Sequence, residues 1–506
     1  MNAGASEAVS ARRAVILHGM LWNSIFQVFL AGVNFASMLA LVRLLSPGEF
    51  GRATAATGVL ALINCFNCSY FIAQAIQLRE GEEPDWAAHW RAGLYIQLGL
   101  FVLSNTVGAI LWLFPVYRTI APLLHVASIG LLVDCPNQMA LAQLRRDMNF
   151  RTLRLVNGVC VLLTVLTSVT LARLGAGAYA LIIGSNVLHG MPFGIYLLAL
   201  REWRPPGRWW DWPDWKSYRV PLHFGWRISQ AAVVMAGRGI LESLVLPGAI
   251  GYEAIGLLNR AQVLFATTAG RANSLILDTV YPLLPRSTGH PQEFARHVTL
   301  FVQTMLLISV PGAVFVSIEG PYLSRLLYGS KWMAADSLIA PATWFAWGVS
   351  TVLIFTAALQ AANRLRLVLV SSAVAAGVCI IPLAIVVVGG KVVMYAWTSV
   401  AAQLLAVVSI MFFASPLLEN KWSRKAIVPP AVSAAFAAVC VLLLRHITDP
   451  LLVLPRILVD GFCFGIIVLC VLQTFFSPLL HEVVIRLPGR SLLGDIRVWM
   501  MEGLSE

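Results

Sequence analysis

The feature that most constrains this chain is a succession of apolar stretches, each about 20 residues or longer, separated by short polar connectors. An apolar helix of that length spans the roughly 30 Å hydrocarbon layer of a bilayer, where every backbone polar group must be satisfied internally. At about 20 residues per span and roughly 10–15 per connector, 506 residues hold some fourteen helices and leave no room for a sizeable soluble domain. The expected spans are 14–41, 53–77, 92–114, 119–143, 155–173, 178–200, 220–246, 254–277, 298–318, 336–362, 367–389, 392–415, 427–446 and 452–477. The fold class is an all-α polytopic membrane protein. Composition agrees: 58% of residues are hydrophobic and 12% charged, whereas soluble domains are about a quarter charged. That balance excludes an ordinary soluble enzyme, a disulfide module and a disordered chain. Prolines 136, 311, 341 and 382 fall inside spans, where they kink or interrupt a helix.

The net charge of +12 is informative by position. With the N-terminus in the cytoplasm, about 23 of the Lys and Arg residues fall on that side against about 9 outside, which predicts cytoplasmic termini and an even helix count. Residues 14–41 are too long and too rich in amides for a cleaved leader, so they are expected to stay as the first helix. REWRPPGRWWDWPDWKSYR (201–219), with five Trp and five Lys or Arg, reads as a cytoplasmic segment lying at the lipid headgroups. It divides the chain near its middle. VRLLSPGEFG (42–51) resembles VLPGAIGYEAIG (245–256), with Glu49 against Glu253 and Gly51 against Gly256, and ALAQLRR (140–146) resembles ALQAANR (358–364). Two lobes of the same orientation follow, related by a pseudo-twofold axis along the membrane normal. The expected organisation is a tail (1–13), an N-terminal six-helix lobe (14–200), the linker (201–219), a C-terminal six-helix lobe (220–415), two further helices (427–477) and a cytoplasmic tail (478–506).

Ionisable residues at membrane depth carry the functional signal. Arg227 and Arg238 lie eleven residues apart, as do Arg260 and Arg271, a step that returns within about 20° and rises roughly 16 Å along a helix. Four arginines facing lipid would cost on the order of 10–14 kcal/mol, so they must face water or partners. A cavity so lined suits an anion such as phosphate, which arginine recognises in bidentate fashion. The plainer alternative pairs Arg238 with Glu242 at i, i+4 and lets the outer residues snorkel. Asn23, Gln27 and Asn34 share a face of the first span, and Asn67 and Gln74 share one on the second. Such amides suit sugar hydroxyls or hold helices together. Glu242, Glu253 and Asp278 are candidate ion or proton coupling sites, and Asp134, in the polar break with Pro136, Asn137 and Gln138, is a further one whose plainer reading is a satisfied kink. The eight cysteines lie in apolar stretches and read as small core residues.

Nothing marks an enzyme. The sequence has no P-loop, HExxH or GxSxG, its nine His are scattered, and it suggests no cofactor, metal or nucleic-acid partner. A glycan polymerase or ligase would need catalytic groups on a long outer loop, and only 319–335 is of any length, reading as a short amphipathic turn. A multidrug exporter would favour acidic over arginine-rich cavity walls.

ALVRLLSPGEFG (40–51), ALAQLRRDMNFRTL (140–153), LHFGWRISQ (222–230), GYEAIGLLNRAQVL (251–264), LLYGSKWMAADSLI (326–339) and ALQAANRLRLVL (358–369) together resemble the bacterial polysaccharide-export flippases of the multidrug/oligosaccharidyl-lipid/polysaccharide (MOP) exporter superfamily. The resemblance implies two six-helix lobes around a central cavity, alternating access, and an undecaprenyl-diphosphate-linked oligosaccharide as substrate. It also implies residence in the bacterial inner membrane, and a polysaccharide polymerase and chain-length machinery as possible partners. The chain departs from the family at Pro247 and Gly248, where a basic residue is frequent, and at NCSYFIAQAIQ (67–77), where the family is Gly-rich.

Overall fold

Local signals start and stop the helices. Phe29–Leu44 (α1) ends before Ser46, whose hydroxyl accepts from the Glu49 backbone N–H while the Glu49 carboxylate accepts from the Ser46 N–H at 2.6 Å, a capping box that opens Pro47–Asn64 (α2) with proline in its first turn. The second span begins at Pro47 for that reason, earlier than hydropathy alone places it. It also breaks. Asn67 caps a separate helix, Cys68–Gln77 (α3), by accepting from the Ser69 N–H at 2.8 Å, and the two halves are bent by 50°. Asn67 is therefore the cap of the helix that carries Gln74 rather than part of one continuous second span.

The computed structural model describes residues 26, 29–78, 82–201, 203–271, 273, 291–420, 422–448 and 452–477. Among them every regular element is helical. After α3 come Trp86–Trp112 (α4), Ala121–Arg146 (α5), Phe150–Arg173 (α6), Ala178–Leu200 (α7) and Arg219–Thr267 (α8). Pro291–Tyr328 (α9), Ser330–Ala361 (α10), Leu365–Val387 (α11), Val392–Leu417 (α12), Trp422–Thr448 (α13) and Val453–Phe475 (α14) complete the described chain. Ten of these helices are long and apolar enough to cross a membrane, or eleven counting the bent pair. The 49-residue α8 is two helices joined at Gly251, whose φ of 78° breaks the helical path. Side chains such as Phe436, Leu443 and Phe462 turn outward on apolar helices, as lipid-facing residues do. The chain is a multi-pass membrane protein.

It divides into two compact units, Met1–Gly256 and Leu257–Glu506. The first packs α2, α4, α5 and α7 through Ala56, Leu100, Leu124 and Ile182, and the second packs α9, α10 and α12 through Val298, Phe301, Phe355 and Ile410.

Both resemblances within the sequence have local counterparts. α5 ends with the Asn149 N–H on the Leu144 carbonyl and the Met148 N–H on the Arg145 carbonyl; α10 ends with the Arg364 N–H on the Leu359 carbonyl and the Asn363 N–H on the Gln360 carbonyl. These are Schellman stops, with Met148 at φ 55° and Asn363 at φ 56°. A methionine in that left-handed position is strained, so Met148→Gly is expected to raise stability by about 1 kcal/mol, read as a higher midpoint of thermal unfolding in detergent. In the other pair, a β-carbon on Gly51 would overlap the Tyr252 carbonyl, and one on Gly256 would overlap the Pro47 carbonyl. Each such β-carbon would also lie 3.1 Å from the other glycine's N. The contact is reciprocal at a constant offset, Pro47 to Tyr252 and Gly51 to Gly256, as a local twofold requires. In that register Glu49 corresponds to Ala254, one position from the Glu253 that sequence alignment suggests.

The expected turn at 319–335 is mostly helix, because α9 runs on to Tyr328. Glu319 thus lies inside α9 and is fully buried. It accepts from Arg445 Nη2 of α13 at 2.9 Å, and Arg456 Nε of α14 lies 3.9 Å from its other oxygen. Arg456 also approaches Asp460, fully buried, at 3.6 Å and stacks 3.8 Å from the Tyr322 ring centroid. Two acids and two arginines balance one another and tie the last two helices to α9.

Candidate functional site

One group of polar residues in the first unit lines a cavity of about 560 Å³, in the size range of small-ligand sites. Four elements build it. The α2–α3 break contributes Asn64, Asn67 and Tyr70; α5 contributes Asp134, Asn137, Gln138 and Arg145; α6 contributes Arg154 and Asn157; α7 contributes Ser185, Asn186 and His189. The helices approach closely because glycines face them: a β-carbon on Gly130 would overlap the Asn186 carbonyl, and one on Gly190 would press on the Asn137 amide. Opposite, α7 is wound as π-helix over Ile183–Leu188 and Tyr196–Leu200, a local widening frequent at functional sites.

Asp134 is the electrostatic centre. Its Oδ2 accepts from Asn67 Nδ2 at 2.6 Å and Gln97 Nε2 at 3.2 Å, and its Oδ1 from Gln138 Nε2 at 3.0 Å. Asn137 Oδ1 accepts from the Gly194 N–H at 3.1 Å, locking α5 to α7. Among the described residues no cation pairs with Asp134, so the carboxylate is held by amides alone and borders the cavity. Asp134, two residues before Pro136 in the continuous α5, is thus both hydrogen-bonded and at the cavity wall. Arg145, eleven residues along α5, returns to the same face roughly 16 Å away. With Arg154 it makes one end of the cavity cationic while Asp134 makes the other anionic. Hydroxyls and amides between them can hydrogen-bond a polyol, and the two guanidiniums can hold a phosphate.

Sequence reasoning found Asn67 and Asp134 but treated Arg145 and Arg154 as topology markers and passed over Asn157, Asn186 and His189. The signal was present in the spacing of Arg154 and Asn157 at i, i+3, one turn into an apolar span. The neighbouring Arg146 has a different role: its guanidinium caps the end of α3, donating to the carbonyls of Ala75 at 2.6 Å and Leu78 at 3.4 Å and to that of Glu82.

The other candidates lie elsewhere. Arg238 Nε donates to Glu242 Oε1 at 2.8 Å, the i, i+4 pair that the sequence allowed. Arg260 donates to Asn259 Oδ1 at 2.6 and 3.2 Å, and its carbonyl accepts weakly from the Tyr328 hydroxyl at 3.5 Å. Arg227, Arg271, Asn34 and Glu253 are exposed, and Gln74 is half-buried on α3 away from the cavity lining. Arg227 and Arg238 belong to the first unit, Arg260 and Arg271 to the second. Asp278, Asn23 and Gln27 lie outside the described residues. Among the described residues no group of His, Cys, Asp or Glu could hold a metal ion.

Comparison with known proteins bears on this arrangement. A model of the polysaccharide biosynthesis protein family matches residues 40–337. The lipopolysaccharide biosynthesis protein WzxC of Escherichia coli K12 is 20% identical over 327 residues, 63% of this chain and 64% of its own length. The succinoglycan biosynthesis transport protein ExoT of Rhizobium meliloti is 29% identical over 165 residues, 32% of this chain and 33% of its own. The match thus spans less than two thirds of these relatives. Of solved structures, the lipid II flippase MurJ in an inward closed conformation superposes with a TM-score of 0.71 at 14% identity, over 91% of this chain and 100% of that one. An inward-facing multidrug resistance MATE transporter of the MOP superfamily gives 0.51 at 14% identity, over 76% and 94%. The fold is therefore shared with transporters of the MOP superfamily, and since the family model covers more than half of its residues, the chain belongs to the polysaccharide biosynthesis protein family.

Proposed function

We propose that this protein is a flippase that moves an undecaprenyl-diphosphate-linked oligosaccharide repeat unit from the cytoplasmic to the periplasmic leaflet of the bacterial inner membrane, by alternating access, with both termini cytoplasmic. One observation carries the reading. A cavity lined by amides and hydroxyls, with two arginines at one end, lies inside an apolar helical unit of a chain of this family. An apolar drug would gain little there, and uncharged hydrogen-bonding walls match sugar hydroxyls. Two lobes, 14–200 and 220–415, rock about the substrate in this proposal. Arg145 and Arg154 hold the diphosphate, Asn67 and the other cavity amides contact the glycan, Arg227, Arg238, Arg260, Arg271, Asn34 and Gln74, outside the cavity lining, guide the lipid-linked substrate, and Asp134, Glu242, Glu253 or Asp278 couples movement to an ion or proton gradient. Polymerase and chain-length proteins would receive the product.

The test is complementation of a strain that lacks the chain. Wild-type protein restores polymer; Arg238→Ala and Arg260→Ala insert in the membrane at normal level yet lose export. Asp134→Asn, which keeps the shape and removes the charge, lowers export at least tenfold if Asp134 couples or orients substrate, an energy of about 1.4 kcal/mol or more. Normal polymer yield from all three variants would overturn the site.

A further inference from the structure

The tryptophan-rich connector folds back onto α4. The Tyr95 hydroxyl donates to the Trp210 carbonyl at 2.7 Å, Arg91 Nε donates to the Arg208 carbonyl at 3.3 Å, and the Tyr95 and Trp212 rings meet edge to face at 4.8 Å. Between connector and helices lies an apolar crevice of about 220 Å³, walled by Leu94, Leu98 and Leu132 on one side and by Trp209 and Trp210 on the other. Leu98 and Leu132 are 47% and 40% exposed on membrane-spanning helices, so the crevice opens on a flank that meets lipid. Its inner wall is Gln97, 1% exposed, whose Nε2 is engaged with Asp134 while its Oε1 has no hydrogen-bond partner.

The charges beside the crevice are mixed: Arg91 lines a small cavity with Asp85 and Asp214, whose carboxylates also accept from the Ala88 N–H at 2.9 Å and the Lys216 N–H at 3.0 Å, and Asp211 is half-buried. Arg204, Arg208 and Lys216 are exposed, and Arg91 spends only its Nε on the connector. Cations beside tryptophans at the end of a span are the chemistry of an anionic headgroup layer.

We propose that this crevice binds one anionic phospholipid of the surrounding leaflet, with an acyl chain between Trp209–Trp210 and Leu98–Leu132 and the phosphate on Arg208 and the terminal nitrogens of Arg91. The lipid then splints the connector to α4, one residue contact away from Asp134. A volume of about 220 Å³ lined mainly by leucine and tryptophan, with Gln97 the polar group at its inner wall, accommodates part of a chain better than a sugar.

Tryptophan fluorescence of the full-length protein in detergent, titrated with phosphatidylglycerol or phosphatidylcholine carrying brominated acyl chains, tests the site. Brominated phosphatidylglycerol is expected to quench at lower mole fraction, and Arg208→Gln to move its curve about fivefold toward that of phosphatidylcholine. Trp209→Phe with Trp210→Phe removes the saturable component, and Leu98→Trp, which fills the crevice and leaves the cations intact, abolishes the preference. Coincident curves for the two lipids, or a preference unchanged in Leu98→Trp, would overturn the proposal. So would displacement by undecaprenyl phosphate at lower mole fraction than phosphatidylglycerol, which would give the crevice to a polyprenyl chain.

Discussion

Replacing Gly51 with valine is expected to abolish export and to lower the thermal midpoint of the purified protein, and Gly256→Val to do the same. Each glycine sits where a first side-chain atom would overlap the carbonyl of the other helix. Relief therefore requires moving backbone rather than rotating a side chain. Overpacking of this kind costs about 1–3 kcal/mol even when only methylenes are added, and more against rigid backbone. Gly48→Val on the same α2 is the control, since nothing lies within 4 Å of a β-carbon there. The crossing is supported by Gly58, which faces Ser243, by the Tyr252 hydroxyl on the Val116 carbonyl at 2.7 Å, and by the Tyr117 hydroxyl on the Leu244 carbonyl. If Gly51→Val and Gly48→Val unfold at the same temperature and export equally, the crossing is not a close contact in the working protein.

The second large effect is expected at Glu319. Glu319→Gln leaves Arg456, 4% exposed, without one of its two balancing carboxylates, and breaking a buried pair from one side costs about 3–5 kcal/mol. The Arg445 side of the network is 27% exposed and contributes less. The readout is thermal unfolding in detergent, together with proteolysis between α12 and α13. Glu319→Gln combined with Arg456→Met, which removes charge from both sides, is expected to recover part of the loss. A Glu319→Gln protein as stable as wild type would show that the network does not hold the last two helices.

Hydropathy was legible in the sequence because it is local: each apolar run states its own span. The start of α2 lies six residues before the expected 53, because hydropathy alone passes over the Ser46, Pro47 and Glu49 cap. The break between α2 and α3 was not legible, because Asn64 to Asn67 contain neither proline nor glycine, and only the distant Asp134 shows why Asn67 leaves the helix to cap and bond. Glu319 was missed for a similar reason. Its arginine partner Arg445 lies 126 residues away, and a glutamate in a stretch with Gly320 and Pro321 reads locally as a turn. Arginine spacing suggested four cations facing water or partners, with Arg238–Glu242 as the plainer pairing; the carboxylate on Arg238 and the amide on Arg260 give those two local partners on α8. The cavity was half legible. Asn67 and Asp134 stood out as polar groups at depth, whereas Arg145 and Arg154, near helix ends, were indistinguishable from residues that only set topology.

The central claim, that this chain carries a lipid-linked glycan across the membrane, is tested most directly by the sidedness of that intermediate. In spheroplasts depleted of the protein and treated with an impermeant oxidant of vicinal diols, the lipid-linked repeat unit is expected to accumulate and to remain protected. Restoring wild-type protein should make it accessible within one export cycle, whereas Asp134→Asn and Arg260→Ala should not. An intermediate equally accessible with and without the protein would contradict the account.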